Sequence, residues 1–289
     1  MTREELFRFC FPADEKPLDR IPEDGGFCAI FRKIAVVGDS LSSGEFETKI
    51  PGENTHYDDF YEYSWGQFIG RMCGSEVLNF SRGGMTAREY CKTFGDARDL
   101  WNPQKKAQAY IIALGVNDLQ NQHHPLGSVE DICLADWRKN ADTYAGRYGE
   151  IVQRYKEIAP DAKFFFLTMT TDRFPEKNAV NREQQKLLYE MVKIFPNSYV
   201  VDLLEYFPAA DYEYRGKFFM HGHFTPCGYY IYGKLIAAYI DWIIRHNLHD
   251  FDRVGYINRE LTDTEYRRRI AAYEAKMAEE KARKEQENG

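Results

Sequence analysis

Short apolar runs, each closed by a glycine or a polar turn, punctuate the first two thirds of the chain. They fall at about 33–38, 76–80, 109–115, 163–168 and 198–202. Ala35-Val36-Val37, Tyr110-Ile111-Ile112 and Phe164-Phe165-Phe166 show no polar alternation. Such runs predict strands buried on both faces, as in a parallel sheet. Helical patterns lie between them, including 136–159 and 177–195. A further helical face follows at Tyr232, Leu235, Ile236, Tyr239, Ile240, Ile243 and Ile244. Strands alternating with helices imply βαβ units with right-handed crossovers.

The ends of the chain break this pattern. Residues 1–32 carry Pro12, Pro17, Pro22 and Gly25-Gly26, which predicts an N-terminal extension of loops with room for one strand. The main domain is expected over 33–250 and a charged C-terminal helix over 251–289. Thr262-Asp263-Thr264-Glu265 reads as a capping box, and Tyr266, Ile270, Tyr273 and Met277 form an apolar seam behind it. The seam is too short for a coiled coil. It suits docking on the domain or a homo-oligomer contact between two copies.

The ends of the predicted strands hold the candidate chemistry. The first run leads into Gly38-Asp39-Ser40-Leu41 and delivers a serine to the edge where open α/β sheets keep their sites. The second leads into Arg82-Gly83-Gly84-Met85-Thr86, where glycines let N–H groups face a ligand and Thr86 can cap a helix. The third ends in Gly115-Val116-Asn117-Asp118, whose Asn117 amide can donate to a developing oxyanion. The fourth segment, Met220-His221-Gly222-His223, places a potential general base just before the last apolar helix. Plainer roles are open to each: Ser40 as a helix N-cap, Gly84 as a turn glycine, Asn117 as a loop-capping amide.

In this order the four segments resemble the SGNH hydrolases, also called GDSL esterases/lipases, over roughly residues 33–247. The family's Ser, Gly, Asn and His fall on Ser40, Gly84, Asn117 and His223. Gly84 lies five residues after Asn79, Thr86 two residues beyond that glycine, and Gly228-Tyr229 after the histidine, all as in the family. The resemblance implies an α/β fold, a three-layer α/β/α sandwich of flavodoxin-like type with a central five-stranded parallel sheet. It also implies a serine esterase. Ser40 would be the nucleophile, His223 the base, and the Ser40 N–H, Gly84 N–H and Asn117 amide the oxyanion donors.

One position departs from that pattern. The family's aspartate three residues before the histidine is Met220 here. Three alternatives follow: a Ser–His dyad with a backbone carbonyl on the imidazole, a substitute carboxylate such as Asp202, Asp211 or Glu213, or a degenerate site on a binding or scaffold protein. Asp39 and Asp118 read as structural, holding loop N–H groups. His123, Arg82 and Gln120 are candidate substrate contacts on the same face. His221-x-His223 has no further ligands around it in sequence, so no metal or cofactor is expected. The long connection 43–64, rich in aromatics and acids, suits substrate contacts or a packing lid.

Composition narrows the function class. The 289 residues are 44% hydrophobic and 29% charged, which describes a globular protein. A net charge of -7 argues against nucleic acid as the main partner. A mean hydropathy of -0.58 and the lack of a long apolar stretch argue against a membrane span. The first residues carry no apolar leader, and the six cysteines include no Cys-x-x-Cys pair. Reduced thiols and a cytoplasmic location are therefore expected. The resemblance implies a small-molecule ester as partner, with O-acetylated carbohydrate foremost; the abundant aromatics read as core or as rings that stack on sugars, and composition does not separate the two.

Overall fold

The computed structural model describes residues 1–208, 211–259 and 263–287. In chain order the main elements are α1 (Arg3–Cys10), β1 (Lys33–Gly38), β2 (Glu45–Thr48), β3 (His56–Asp59), α2 (Trp65–Cys73), β4 (Glu76–Ser81), β5 (Ala109–Ala113), α3 (Tyr144–Ile158), β6 (Lys163–Leu167), α4 (Pro175–Ile194), β7 (Ser198–Val201), β8 (Phe219–Met220), β9 (His223–Phe224), α5 (Pro226–His246) and α6 (Asp263–Glu287). Five strands form one parallel sheet in the order β4-β1-β5-β6-β7. Helices cover both faces, giving the three-layer α/β/α fold.

Side chains sort to the two faces with the strand period of two. Tyr110, Phe164 and Phe166 turn toward α3. The Tyr110 and Tyr155 rings lie 4.3 Å apart, and Tyr148 meets Phe166 edge-on at 5.3 Å. Phe165 points the other way and meets Phe31 edge-on at 5.9 Å. All of these rings are buried, so this share of the abundant aromatics fills the core, at roughly 1.5–3 kcal/mol for each buried large side chain.

Register explains why the site forms where it does. Gly38, the last residue of β1, pairs with Ser81 of β4 on one side and Ala113 of β5 on the other. The three strands therefore end level. Ser40, Gly84 and Asn117 each lie a few residues past those ends and emerge side by side.

The structure differs from expectation in three places. No strand forms in the N-terminal extension among the described residues; it holds α1 and a 3₁₀ turn, Gly26–Ile30. Thr2 and Glu5 make a capping box that starts α1, and the segment is pinned to α5 by Trp242 Nε1 donating to the Glu15 carbonyl at 2.9 Å and Phe27 N–H donating to Asp241 at 2.7 Å. The helix expected from 136 begins only at Tyr144, because the Thr143 hydroxyl caps it by accepting from Gly146 N–H at 3.1 Å. The connection at 43–64 contains an antiparallel hairpin, β2–β3.

Thr262 of the expected capping box lies outside the described residues. In the first turn of α6, Thr264 donates to Asp161, and the Arg253 guanidinium lies 3.4 Å from the Tyr266 ring centroid. Ile270, Tyr273 and Met277 farther along are exposed. All six cysteines are free. Among the described residues, no helix is long and apolar enough to cross a membrane.

Candidate active site

A groove of about 540 Å³ opens at the C-terminal edge of the sheet. Ser40, Gly84, Asn117, Gln120 and His223 all line it. β1 brings in Ser40, which opens a short helix, Ser40–Ser43. Asp39 is that helix's N-cap, and its Oδ1 accepts from Leu41 N–H at 3.1 Å. Burial, first of all, pushes the Asp39 carboxyl up to about 7, with the nearby Asp118 charge acting the same way.

The next two residues arrive from β4 and β5. Gly84 has φ 71°, a left-handed conformation suited to glycine, and a Cβ there would meet open space. Its backbone is thus uncovered toward the groove. Thr86 caps the turn that follows by accepting from Glu89 N–H at 3.0 Å. Asp118 is buried and accepts from Ala87 N–H at 3.0 and 3.1 Å, tying the β5 turn to the glycine turn. Asn117 Nδ2 donates to the Met85 carbonyl at 3.1 Å and has a long 3.5 Å contact with Asp39 Oδ2. Asn121 donates to Asn117 Oδ1 at 2.8 Å, which fixes the orientation of the amide.

His223 comes from outside the sheet. The β8–β9 hairpin pairs it with Met220 across a tight turn at His221 and Gly222, with His221 at φ 54°. Two carboxylates of β2 hold its ring. Nδ1 lies 2.9 Å from Glu47 Oε2, which also accepts from Gly222 N–H at 3.0 Å. Nε2 lies 3.1 Å from Glu45 Oε1. Glu45 and Glu47 share one face of β2 because alternate strand residues do. Phe46 faces the opposite way, stacked on Tyr229 at 6.0 Å, while the Tyr229 hydroxyl donates to the Glu45 carbonyl at 2.7 Å. Tyr57 of β3 closes the edge of the imidazole at 5.8 Å.

The electrostatics follow from this arrangement. Burial lowers the His223 pKa, but hydrogen bonds and charge from Glu45 and Glu47 outweigh it, so the net displacement is upward. Glu47 is driven the other way: partial burial raises its pKa, but His223 and the Gly222 N–H lower it by more, for a net lowering. A neutral imidazole has one N–H and one acceptor nitrogen. Bonding to a carboxylate at both nitrogens therefore requires the imidazolium. Among the described residues, Ser40 Oγ makes no hydrogen bond, and none joins it to His223. Glu45 reaches His223 by passing over Gly83, where any Cβ would collide with its carboxylate.

The family model for GDSL-like lipases/acylhydrolases matches residues 36–231. The chain belongs to the GDSL-like lipase/acylhydrolase family. No curated protein matches it in sequence. Similar solved structures share the fold at low identity. A family two carbohydrate esterase from Clostridium thermocellum, in complex with cellohexaose, is 16% identical with a TM-score of 0.52, covering 82% of this chain and 67% of its own. A carbohydrate esterase family 2 enzyme with a carbohydrate-binding domain, from Corynascus thermopiles (Myceliophthora fergusii), is 17% identical with a TM-score of 0.50, covering 78% and 69%. A protein from Lactobacillus plantarum is 12% identical with a TM-score of 0.52, covering 75% and 97%.

Within this GDSL-like chain, the carboxylates near His223 are not those the sequence suggested. Asp202 accepts from Gln185 at 2.7 Å and Tyr189 at 3.0 Å, Asp211 caps Tyr214 N–H at 2.8 Å, and Glu213 pairs with Lys217 at 2.7 Å. Glu45 and Glu47 were missed. The signal was the alternation Glu45-Phe46-Glu47, a strand pattern with two acids on one face, inside what read as a loop.

The proposed substrate contacts divide. Gln120 lines the groove. Arg82 pairs instead with Glu89 and lies over the Phe94 ring at 5.2 Å. His123 is exposed in a left-handed turn and stands outside the groove lining. Among the described residues, no group of three or more His, Cys, Asp or Glu side chains is placed to hold a metal ion.

Proposed function

We propose that this GDSL-like chain is a serine esterase for small acyl esters, with O-acetylated carbohydrates as the substrate class. The observation that carries this reading is the convergence of Ser40, Gly84, Asn117 and His223 on one groove, with Glu47 on the inner nitrogen of the histidine. Glu47 takes the part of the acid absent at Met220. It fixes the tautomer so that Nε2 is the acceptor, and it stabilises the imidazolium that forms during attack.

Glu45 must first leave Nε2, which the loss of the ring's second proton brings about. Ser40 Oγ then attacks the ester carbonyl while its proton passes to His223 Nε2. The oxyanion is met by the Ser40 and Gly84 N–H groups and by the Asn117 amide hydrogen that points along the long Asp39 contact. Collapse expels the alcohol, which takes the proton back from Nε2. Water then repeats the sequence on the acyl-serine.

The polar groove supports a hydroxyl-bearing substrate. The fold neighbour from Clostridium thermocellum, a carbohydrate esterase captured with cellohexaose, motivates the choice of sugar esters. The six free cysteines fit a reducing compartment, the cytoplasm.

The test is hydrolysis of p-nitrophenyl acetate by wild type and Ser40→Ala, with folding of both checked by circular dichroism. Ser40→Ala is expected to lose at least ~10³ in kcat. Equal rates in the two proteins overturn the assignment. A second reading, a non-catalytic binding protein, is favoured by the Glu45 bond on Nε2 and by the lack of a Ser40 Oγ partner among the described residues. Absence of hydrolysis by folded wild type across short acyl esters would select it.

A further inference from the structure

The groove is lined by charges of both signs. Asp39, Glu45 and Glu47 line it together with His223, and Arg215 and Lys177 line it as well. Arg215 lies on the short helix Tyr212–Phe218. Its Nη2 donates to the His221 carbonyl at 3.1 Å and its guanidinium lies 4.2 Å from the Phe219 ring centroid. The hairpin that carries His223 therefore also steadies this cation. Lys177, in the first turn of α4, has a loose ion pair with Asp172 at 3.9 Å. Arg173 beside it lies against Phe174 and Tyr212, at 4.8 and 5.5 Å.

The charge here is uncompensated. Three cations stand near a single carboxylate, Asp172, and no described carboxylate lies within salt-bridge distance of Arg215 or Arg173. Partial burial, then the neighbouring Arg173, hold the Arg215 pKa below its ordinary value. A guanidinium steadied on an aromatic ring and short of counter-charge presents a planar fork that suits a carboxylate. The same groove carries a chain of amides. Gln120 donates to Asn181 Oδ1 at 2.7 Å, and Asn181 donates to the Thr170 carbonyl at 2.8 Å. Fixed amides of this kind suit the hydroxyls of a sugar ring.

We propose that Arg215, assisted by Lys177, binds a carboxylate on the substrate, which makes the preferred substrate class O-acylated sugar acids rather than neutral sugar esters. The acyl-transfer part of this statement rests on the esterase reading; the carboxylate site does not.

Two measurements separate them. The first compares kcat/KM for acetylated methyl glucuronoside with that for acetylated methyl glucoside at low salt. Wild type is expected to favour the acid by about tenfold or more, the scale of a charge-assisted hydrogen bond. The ratio should fall toward one in Arg215→Gln, fall less in Lys177→Gln, and be partly kept in Arg215→Lys. It should also shrink at about 0.5 M salt through screening. A ratio near one in wild type, or one unchanged in both Gln variants, overturns the proposal.

The second measures binding of the unacylated methyl glucuronoside and methyl glucoside to Ser40→Ala by calorimetry. Tighter binding of the acid, lost on adding Arg215→Gln, supports the carboxylate site even if no ester is hydrolysed. Equal binding of the two sugars overturns it whatever hydrolysis shows.

Discussion

The two halves of the groove are built by different means. Ser40, Gly84 and Asn117 hang from β1, β4 and β5, whose ends are levelled by the register of a buried sheet. Their supports are backbone geometry and short local bonds, such as Asp118 to Ala87 N–H. His223, Glu45 and Glu47 sit on two small hairpins outside the sheet and are held to each other chiefly by charge. The sheet half is fixed by backbone geometry, with the buried Asp39 as a group in it that titrates near neutrality. The hairpin half holds His223 between both glutamates, and the proposed mechanism needs a second arrangement in which Glu47 alone holds a neutral imidazole. On the proposed mechanism, the oxyanion donors thus belong to the sheet half and the base to the hairpin half.

Breaking the inner clasp should have the largest effect. Glu47→Gln leaves the shape of the site but removes the charge on Nδ1, and kcat is expected to fall by up to ~10⁴. Steady-state kinetics check this, and a loss below threefold would mean that Glu47 does not orient the base. Met220→Asp should not raise activity in the wild-type background, since Nδ1 is already engaged.

The sheet half comes next. Asn117→Ala should lower kcat by about 10²–10³ with little change in KM, because its donor acts in the transition state. A change confined to KM would remove Asn117 from the oxyanion site.

A smaller effect sharpens the contrast between the halves. The raised His223 pKa means that the neutral, base-competent ring prevails only above an elevated pH, so the acid limb of kcat/KM should lie above the ordinary histidine value. Glu45→Gln removes one of the two raising carboxylates and should move that limb down in pH. It should also raise activity at pH 6. An unmoved limb would show that Glu45 does not reach the working histidine.

The smallest expected effect concerns stability. Asp39 titrates near 7 in the folded protein against an ordinary 3.8. Between those values the native state binds more protons than the unfolded chain, so stability falls as pH rises. Asp39→Asn keeps a helix-capping oxygen and should remove that fall, so the variant gains on wild type at pH 8 relative to pH 4. Urea midpoints at the two pH values check it; parallel midpoints would place the titration elsewhere.

The strands were legible because their apolar runs are long and uninterrupted, as at Phe164-Phe165-Phe166. Ser40, Gly84 and Asn117 were legible for a related reason: each follows such a run within a few residues. β2 was not legible. It spans only Glu45–Thr48, is mostly polar, and owes its strand form to pairing with β3. Arg82 and His123 looked like pocket residues because they neighbour the right turns. Arg82 found a local acid in Glu89, and the left-handed turn at His123 carried that side chain away. Arg215 and Lys177 gave no signal at all, since isolated basic residues on helices usually face solvent.

By itself, then, the sequence determined the sheet and the neighbours along its edge, because burial of β-rich runs is local and register follows from which runs are long enough to pair. It also determined that His223 would stand just before α5. Which acid holds that histidine was decided only by the tertiary structure. Glu47 lies 176 residues away in the chain, and the contact exists because a hairpin turns two alternate carboxylates toward a cation. Charge pairing of this kind depends on distance in space, and nothing in local propensity encodes it.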